Sequence, residues 1–204
     1  MRDDGEMPKI VDHAERRTQI VDAVLTIAAR DGHPEVTSRA VTRELDVAVG
    51  TLWHYFSNFD EIMQAAAVEV TRRTLVRIDQ ASAGLRGLAR LDATMSQVLP
   101  IDTLTKGEAL VVVGFWGRLA SRDGVPSSAS AVSWRDRFVE ALDEAVADGE
   151  LVASTPCDTV ADLLRSISYG QQVAHLLERQ TTDDHLRLLR GCVDPWRASQ
   201  HLPV

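Results

Sequence analysis

The residues best equipped for chemistry in this chain form one short run, Gly50-Thr51-Leu52-Trp53-His54-Tyr55-Phe56. A hydroxyl, an indole N–H, an imidazole and a phenol follow a glycine within five positions, in a chain that is only 5% Phe, Trp and Tyr. Groups of this kind make hydrogen bonds to base edges and phosphates. A Thr there offers a hydroxyl and also a methyl able to touch a thymine methyl. Ring bodies can pack inward while N–H and O–H tips reach outward. Gly50 would let the backbone come close to a partner. The competing reading is plain: a ring-rich amphipathic helix is more often core than a reading surface.

The flanking elements favour the reading surface. From Asp12 the sequence predicts a helix opened by an Asp12/Glu15 capping box and closed by Gly32, with Ile20, Val24, Ile27 and Ala28 as its apolar stripe. A second helix starts at a Thr37 or Ser38 cap and places Ala40, Val41 and Leu45 on one face. Asp46 occupies the turn that follows, where a residue tolerant of left-handed backbone is wanted. A third helix is expected from about Ala48 through the ring block to about Phe56. Asn58 with Glu61 makes a further cap pair and opens a long helix that should break between Ala81 and Gly87. Two short helices joined by a tight turn have the size of a helix-turn-helix unit, whose second helix lies in the DNA major groove.

The run from about Ile20 to Met63 resembles the N-terminal domain of TetR-type repressors. The residues that carry the resemblance are Thr37, Arg39, Val41, Val47, Gly50, Thr51, Leu52, Trp53 in the family's Tyr place, Tyr55, Phe56, Asn58 and Ile62. Downstream, Leu99-Pro100, Phe115-Trp116, Gly149-Glu150-Leu151 and Gly170 are similar to the ligand-sensing domain of the BetI-type branch. The resemblance implies an all-α chain: a flexible tail over 1–12, a three-helix DNA-binding domain over 13–58, and a larger helical sensing and dimerisation domain over 59–204.

It also implies DNA contacts from Thr37, Ser38, Arg39, Arg43, Val49, Gly50, Thr51, Trp53, His54, Tyr55 and Asn58. A small-molecule effector would meet Phe115, Trp116, Trp134, Tyr169, Gln171, Gln172 and His175. A small cation held by rings and a hydrophobic metabolite fit the sequence equally. Two helices with apolar stripes would pair with their copies in a four-helix dimer interface, through Phe138, Leu142, Leu163, Leu164, Ile167, Gly170, Ala174 and Leu177. Two reading heads one turn of DNA apart need a two-fold dimer, although a monomer could bury the same stripes internally.

Three positions depart from the family pattern: Asp46 for Gly in the turn, Ala48 for Ser at the reading-helix cap, and Phe59 for a phosphate-binding Lys. From Met1 to Ser57 there are 7 Lys and Arg against 10 Asp and Glu, and the whole chain carries a net charge of −8. Phosphate affinity comes mainly from Lys and Arg. Arg16, Arg17, Arg39 and Arg43 remain as candidate contacts, and affinity is expected to be modest or cooperative.

Composition limits the rest. With 204 residues, 45% hydrophobic and 25% charged, the chain is long enough for a sizeable core. Two cysteines supply no disulfide framework, the longest apolar run is short of a membrane span, and the N-terminus lacks an apolar signal core. A cytoplasmic setting without membrane partners is expected. No cofactor is implied, the histidines show no metal-ligand spacing with acids or cysteines, and no nucleophile-elbow, Walker, dinucleotide or zincin motif points to an enzyme. The rival to a DNA-binding repressor is a helical dimer of the same fold that has lost DNA binding and serves ligands or partners.

Overall fold

The structure is a computed structural model that describes residues 8–100, 102–120, 134–177 and 182–198. Among them the chain is helical: α1 (Pro8–Asp31), α2 (Ser38–Glu44), α3 (Val49–Leu52), α4 (Phe59–Ala81), α5 (Gly87–Val98), α6 (Thr103–Ala120), α7 (Trp134–Ala147), α8 (Cys157–Leu177) and α9 (Thr182–Val193). The extended pairing seen among the described residues is one isolated antiparallel bridge between Leu151 and Arg197. The all-α expectation holds.

Two compact units divide the chain, residues 1–70 with 106–125 and residues 71–105 with 126–204. The seam falls inside α4, whereas the sequence division at 58/59 marks the end of the helix-turn-helix. In the first unit the stripe Ile20, Val24, Ile27 and Ala28 of α1 is buried against Val41, Leu52, Phe56, Ile62, Met63 and Val111. Helix α1 begins at Pro8 rather than Asp12, so Asp12 is an internal helical residue and not a cap. Residues 8–12, expected in the tail, are helical.

Close approach of α6 to α1 is set by a glycine. A β-carbon added at Gly107 would stand 2.6 Å from the Cα of Ala29, well inside any contact real side chains make. The second unit is built on Leu91, Met95 and Val98 of α5, Phe138, Ala141 and Leu142 of α7, Val160, Ala161 and Leu164 of α8, and Leu189 and Val193 of α9. Glutamates of α7 and of the turn after it hold the start of α5: Glu144 Oε2 accepts from the Gly87 N–H at 3.1 Å and Glu150 Oε2 from the Leu88 N–H at 2.7 Å. These acceptors satisfy donors that the first turn of α5 leaves without intrahelical partners.

Candidate nucleic-acid interface and effector site

Helix α2 opens as its sequence requires, with the Thr37 hydroxyl accepting from the Ala40 N–H at 3.1 Å. It ends in a turn where the Asp46 N–H donates to the Arg43 carbonyl at 3.3 Å and the Val47 N–H to the Thr42 carbonyl at 3.0 Å. Asp46 has φ of 52°, the left-handed value expected at this position. No other non-glycine among the described residues has positive φ. Ala48 precedes α3 and supplies no side-chain cap.

The reading helix is shorter than the sequence suggested. It spans Val49–Leu52, and Trp53, His54 and Tyr55 lie in turns beyond it. Their N–H groups reach back three residues, Trp53 to Gly50 at 3.2 Å, His54 to Thr51 at 3.3 Å and Tyr55 to Leu52 at 3.0 Å. Leu52 and Phe56, four apart, share a face in either geometry, and the Trp, His and Tyr between them are weak helix formers that do little to extend α3. The tightened turn buries Leu52 and Phe56, leans Tyr55 on the first core, and leaves Trp53 and His54 outside.

The eleven candidate DNA contacts therefore fall into three sets. Arg39 and Arg43 are exposed on α2, while Val49, Gly50, Trp53 and His54 are exposed at α3. Val49 and Trp53 are 41% and 42% exposed, large apolar groups without cover in the protomer. A β-carbon at Gly50 would meet nothing within 4 Å, so packing within the chain gives no reason for a glycine there. Ser38 and Thr51 are half-buried at the first turns of their helices. Thr37, Tyr55 and Asn58 do structural work: Thr37 caps α2, Tyr55 lies with its ring centroid 4.9 Å from that of His13, and the Asn58 Oδ1 accepts the Glu61 N–H at 2.9 Å. Phe59, in the family's Lys place, packs against the first core.

Of the candidate phosphate ligands, Arg16 donates to the Gln19 Oε1 at 2.8 Å. Arg17 is engaged within the fold, bonding the Tyr55 carbonyl and Glu61. Glu61 in turn is held below the ordinary carboxylate range, first by the Ser57 N–H and then by Arg17.

The effector candidates separate. Phe115, buried, and Trp116, half-buried, belong to the first unit. The Trp134 side chain lies outside the described residues. Tyr169, Gln171, Gln172 and His175 share α8 in the second unit. Tyr169 leans on the second core, and burial pushes its phenol above its ordinary pKa. The Gln171 Nε2 donates to the His185 carbonyl at 3.1 Å and the Gln172 Nε2 to the Val98 carbonyl at 3.3 Å. The His175 Nδ1 lies 3.1 Å from the His185 Nε2. His185, fully buried on α9, escapes a search for metal patterns because its neighbours carry none; its place in a leucine-rich helix is the available signal. The Gln171 Oε1 and His185 Nδ1 are buried without a hydrogen-bond partner among the described residues. Such groups are costly unless something polar reaches them.

The interface stripe needs correction. Phe138, Leu142 and Leu164 are fully buried inside the protomer, enclosed by α5, α7, α8 and α9. They cannot face a second copy, because the protomer needs them first. Ile167 also packs on this core. What remains outside on α8 is Leu163 at 47%, Gly170, Val173 and Leu177 at 80%, with Ala174 half-buried. Helix α9 adds Leu188 and Gly191 to the exposed set.

Neither cysteine is poised as a nucleophile. Cys157 and Cys192 are both free thiols; burial and then Asp143 push Cys157 up to about 11, and burial raises Cys192. No described helix is long and apolar enough to cross a membrane.

No family model matches the chain. Over 87 residues it is 37% identical to the HTH-type transcriptional repressor KstR of Rhodococcus jostii, covering 41% of this chain and 39% of that protein. Over 72 residues it is 35% identical to the HTH-type transcriptional regulator PksA of Bacillus subtilis, covering 35% of each. The chain thus spans well under half the length of these curated relatives. A solved transcriptional regulator from Saccharomonospora viridis, in complex with choline, superposes with a TM-score of 0.76 at 17% identity, over 89% of this chain and 96% of that one. Another, from Rhodococcus, gives 0.69 at 22% identity over 88% and 95%. The fold is that of these all-helical regulators, and the relatives are transcription regulators rather than enzymes.

Proposed function

We propose that this chain, a member of the TetR family of helix-turn-helix regulators, is a homodimeric repressor that binds a palindromic operator and is released by a small molecule. The observation that carries the reading is the outward face of α3. Val49 and Gly50 of α3, with Trp53 and His54 of the turn after it, stand exposed, while Leu52 and Phe56 anchor the segment in the core. Uncovered large apolar groups beside polar tips mark a partner surface. Gly50 leaves room for duplex DNA to approach the backbone, and Arg39 and Arg43 flank it from α2.

Two such heads are held by self-association through the outer faces of α8 and α9, with Leu163, Val173, Leu177 and Leu188 as its apolar contacts. The effector's polar end is received in the second unit, where the Gln171 Oε1 and His185 Nδ1 are buried without partners among the described residues and His175 stands against His185, with Tyr169 and Gln172 elsewhere on α8. A ligand that fits one spacing of the heads better than another shifts the population between them. Such coupling is typically about 1–3 kcal/mol, or roughly 5–150-fold in operator affinity.

The second reading, a dimer of this fold without DNA binding, is favoured by the 7 basic against 10 acidic residues up to Ser57. Selection of bound sequences from random duplex DNA, at low and then rising salt, decides between the two. Recovery of a palindrome whose affinity falls with salt supports the repressor; recovery of nothing at low salt supports the partner-binding dimer.

A further inference from the structure

The one-turn helix α3 ends at Leu52, and a helix of that length has too few hydrogen bonds to hold its own orientation. Its outer end is held from α1. One Arg17 guanidinium nitrogen donates to the Tyr55 carbonyl, and the other donates to the Glu61 Oε1 at 3.0 Å. The guanidinium carbon sits 3.9 Å from the centroid of the Phe56 ring. One turn earlier on α1, His13 lies against the Tyr55 ring. Glu61 is itself fixed, because its Oε2 accepts the Ser57 N–H at 2.7 Å and its own N–H is bound by Asn58. A planar fork that bonds a carbonyl and a carboxylate while stacking on a ring has no equivalent in Lys.

We infer that Arg17 is a positioning residue for sequence reading: it sets the angle of α3 by tying the Tyr55 carbonyl, the Phe56 ring and the start of α4 to α1. This rests on the repressor reading above. It also removes Arg17 from the phosphate contacts, since both arms of the fork are spent inside the fold. Arg16, which bonds Gln19 one turn along its own helix, and the exposed Arg39 and Arg43 are left to face the DNA backbone.

The test compares the wild type with Arg17→Lys, Glu61→Gln and the double variant. Affinity is measured for the selected operator and for a scrambled duplex over a salt series. Amide hydrogen exchange of Trp53–Phe56 is followed without DNA. Lys keeps the charge and loses the fork, so positioning and phosphate contact give opposite results. The inference expects Arg17→Lys to weaken operator binding about tenfold or more, with scrambled-duplex affinity and salt slope unchanged. Exchange over Trp53–Phe56 should quicken, and the double variant should be no worse than the poorer single one, because both cut the same tie. Glu61→Gln, a nearly isosteric change, carries the same comparison should Arg17→Lys fold poorly. Operator binding by Arg17→Lys equal to wild type overturns the inference, as does a parallel loss on both duplexes. A wild type that binds neither duplex overturns the repressor reading itself, and with it any role of Arg17 in reading.

Discussion

Both units leave apolar side chains uncovered, but on supports of very different length. In the first unit Val49 and Trp53 sit on the four residues of α3 and the turn after it, among a glycine, a hydroxyl and an imidazole. In the second a stripe runs along the 21 residues of α8, from Leu163 through Gly170 and Val173 to Leu177. A short patch with interleaved polar groups suits a groove that offers hydrogen bonds. A long stripe at helical spacing suits another helix. The teaching is that exposure alone does not assign a partner; the element that carries the exposed residues, and what lies between them, does so.

The largest effect should come from confusing the two faces of α8 and α7. Leu142→Ala removes a fully buried side chain from the second core and should cost about 2–5 kcal/mol in denaturant unfolding. Leu163→Glu, on the outward face of α8, should leave the protomer folded and shift sedimentation from dimer to monomer. A Leu163→Glu, Leu177→Glu double variant that still sediments as a dimer would remove α8 from the proposed interface.

The contrast on the first unit is between reading and charge. Thr51→Ala should lower discrimination between operator and scrambled duplex by about 1 kcal/mol while nonspecific binding holds. Arg39→Ala should weaken binding to every duplex and reduce the salt slope by about 1 per protomer. Equal loss on all sequences for Thr51→Ala would show that it does not read bases, and an unchanged slope for Arg39→Ala would take it off the phosphates.

How far the sequence reaches follows from the same contrast. The caps at Thr37 and Asn58, the left-handed turn at Asp46 and the α1 stripe were legible because each is a local rule of a few residues. The length of α3 was not, because periodicity cannot tell a continued helix from a tightened turn when both bury Leu52 and Phe56. Nor was the fate of Phe138, Leu142 and Leu164, since an amphipathic stripe has the same spacing whether its cover is the protomer or a copy. The tie from Arg17 to Tyr55 and Glu61 crosses 38 and 44 positions, beyond any local pattern. In the sequence Arg17 stands only as one of four candidate phosphate contacts.

The second unit should also answer to pH. His185 is depressed below its ordinary pKa, by burial first and by the neighbouring His175 second, against a smaller upward pull from Asp184. A group whose folded pKa is lowered contributes stability above its unfolded value, about 6.5, and loses it as pH falls through the folded value. Thermal unfolding followed from pH 7.5 to pH 5 should therefore show a falling midpoint, with a flatter profile in His185→Gln. An equally steep profile in that variant would place the titration elsewhere.

The smallest effect separates strain from charge at Asp46. Its φ of 52° costs a non-glycine residue something, though less for Asp than for most. Asp46→Gly relieves this but widens the unfolded ensemble, an opposing term of about 0.4–1 kcal/mol, so a net gain of only about 0.5 kcal/mol is expected. The same substitution removes a carboxylate from an exposed turn beside the proposed reading face, where it repels phosphate. Asp46→Asn keeps a side chain that tolerates the left-handed region and deletes only the charge. If Asn raises operator affinity as much as Gly, without the gain in unfolding free energy, charge governs binding and backbone strain governs stability at one residue. If only Gly raises affinity, the turn's conformation limits how α3 is presented, and the acidic balance of the first unit matters less than its geometry.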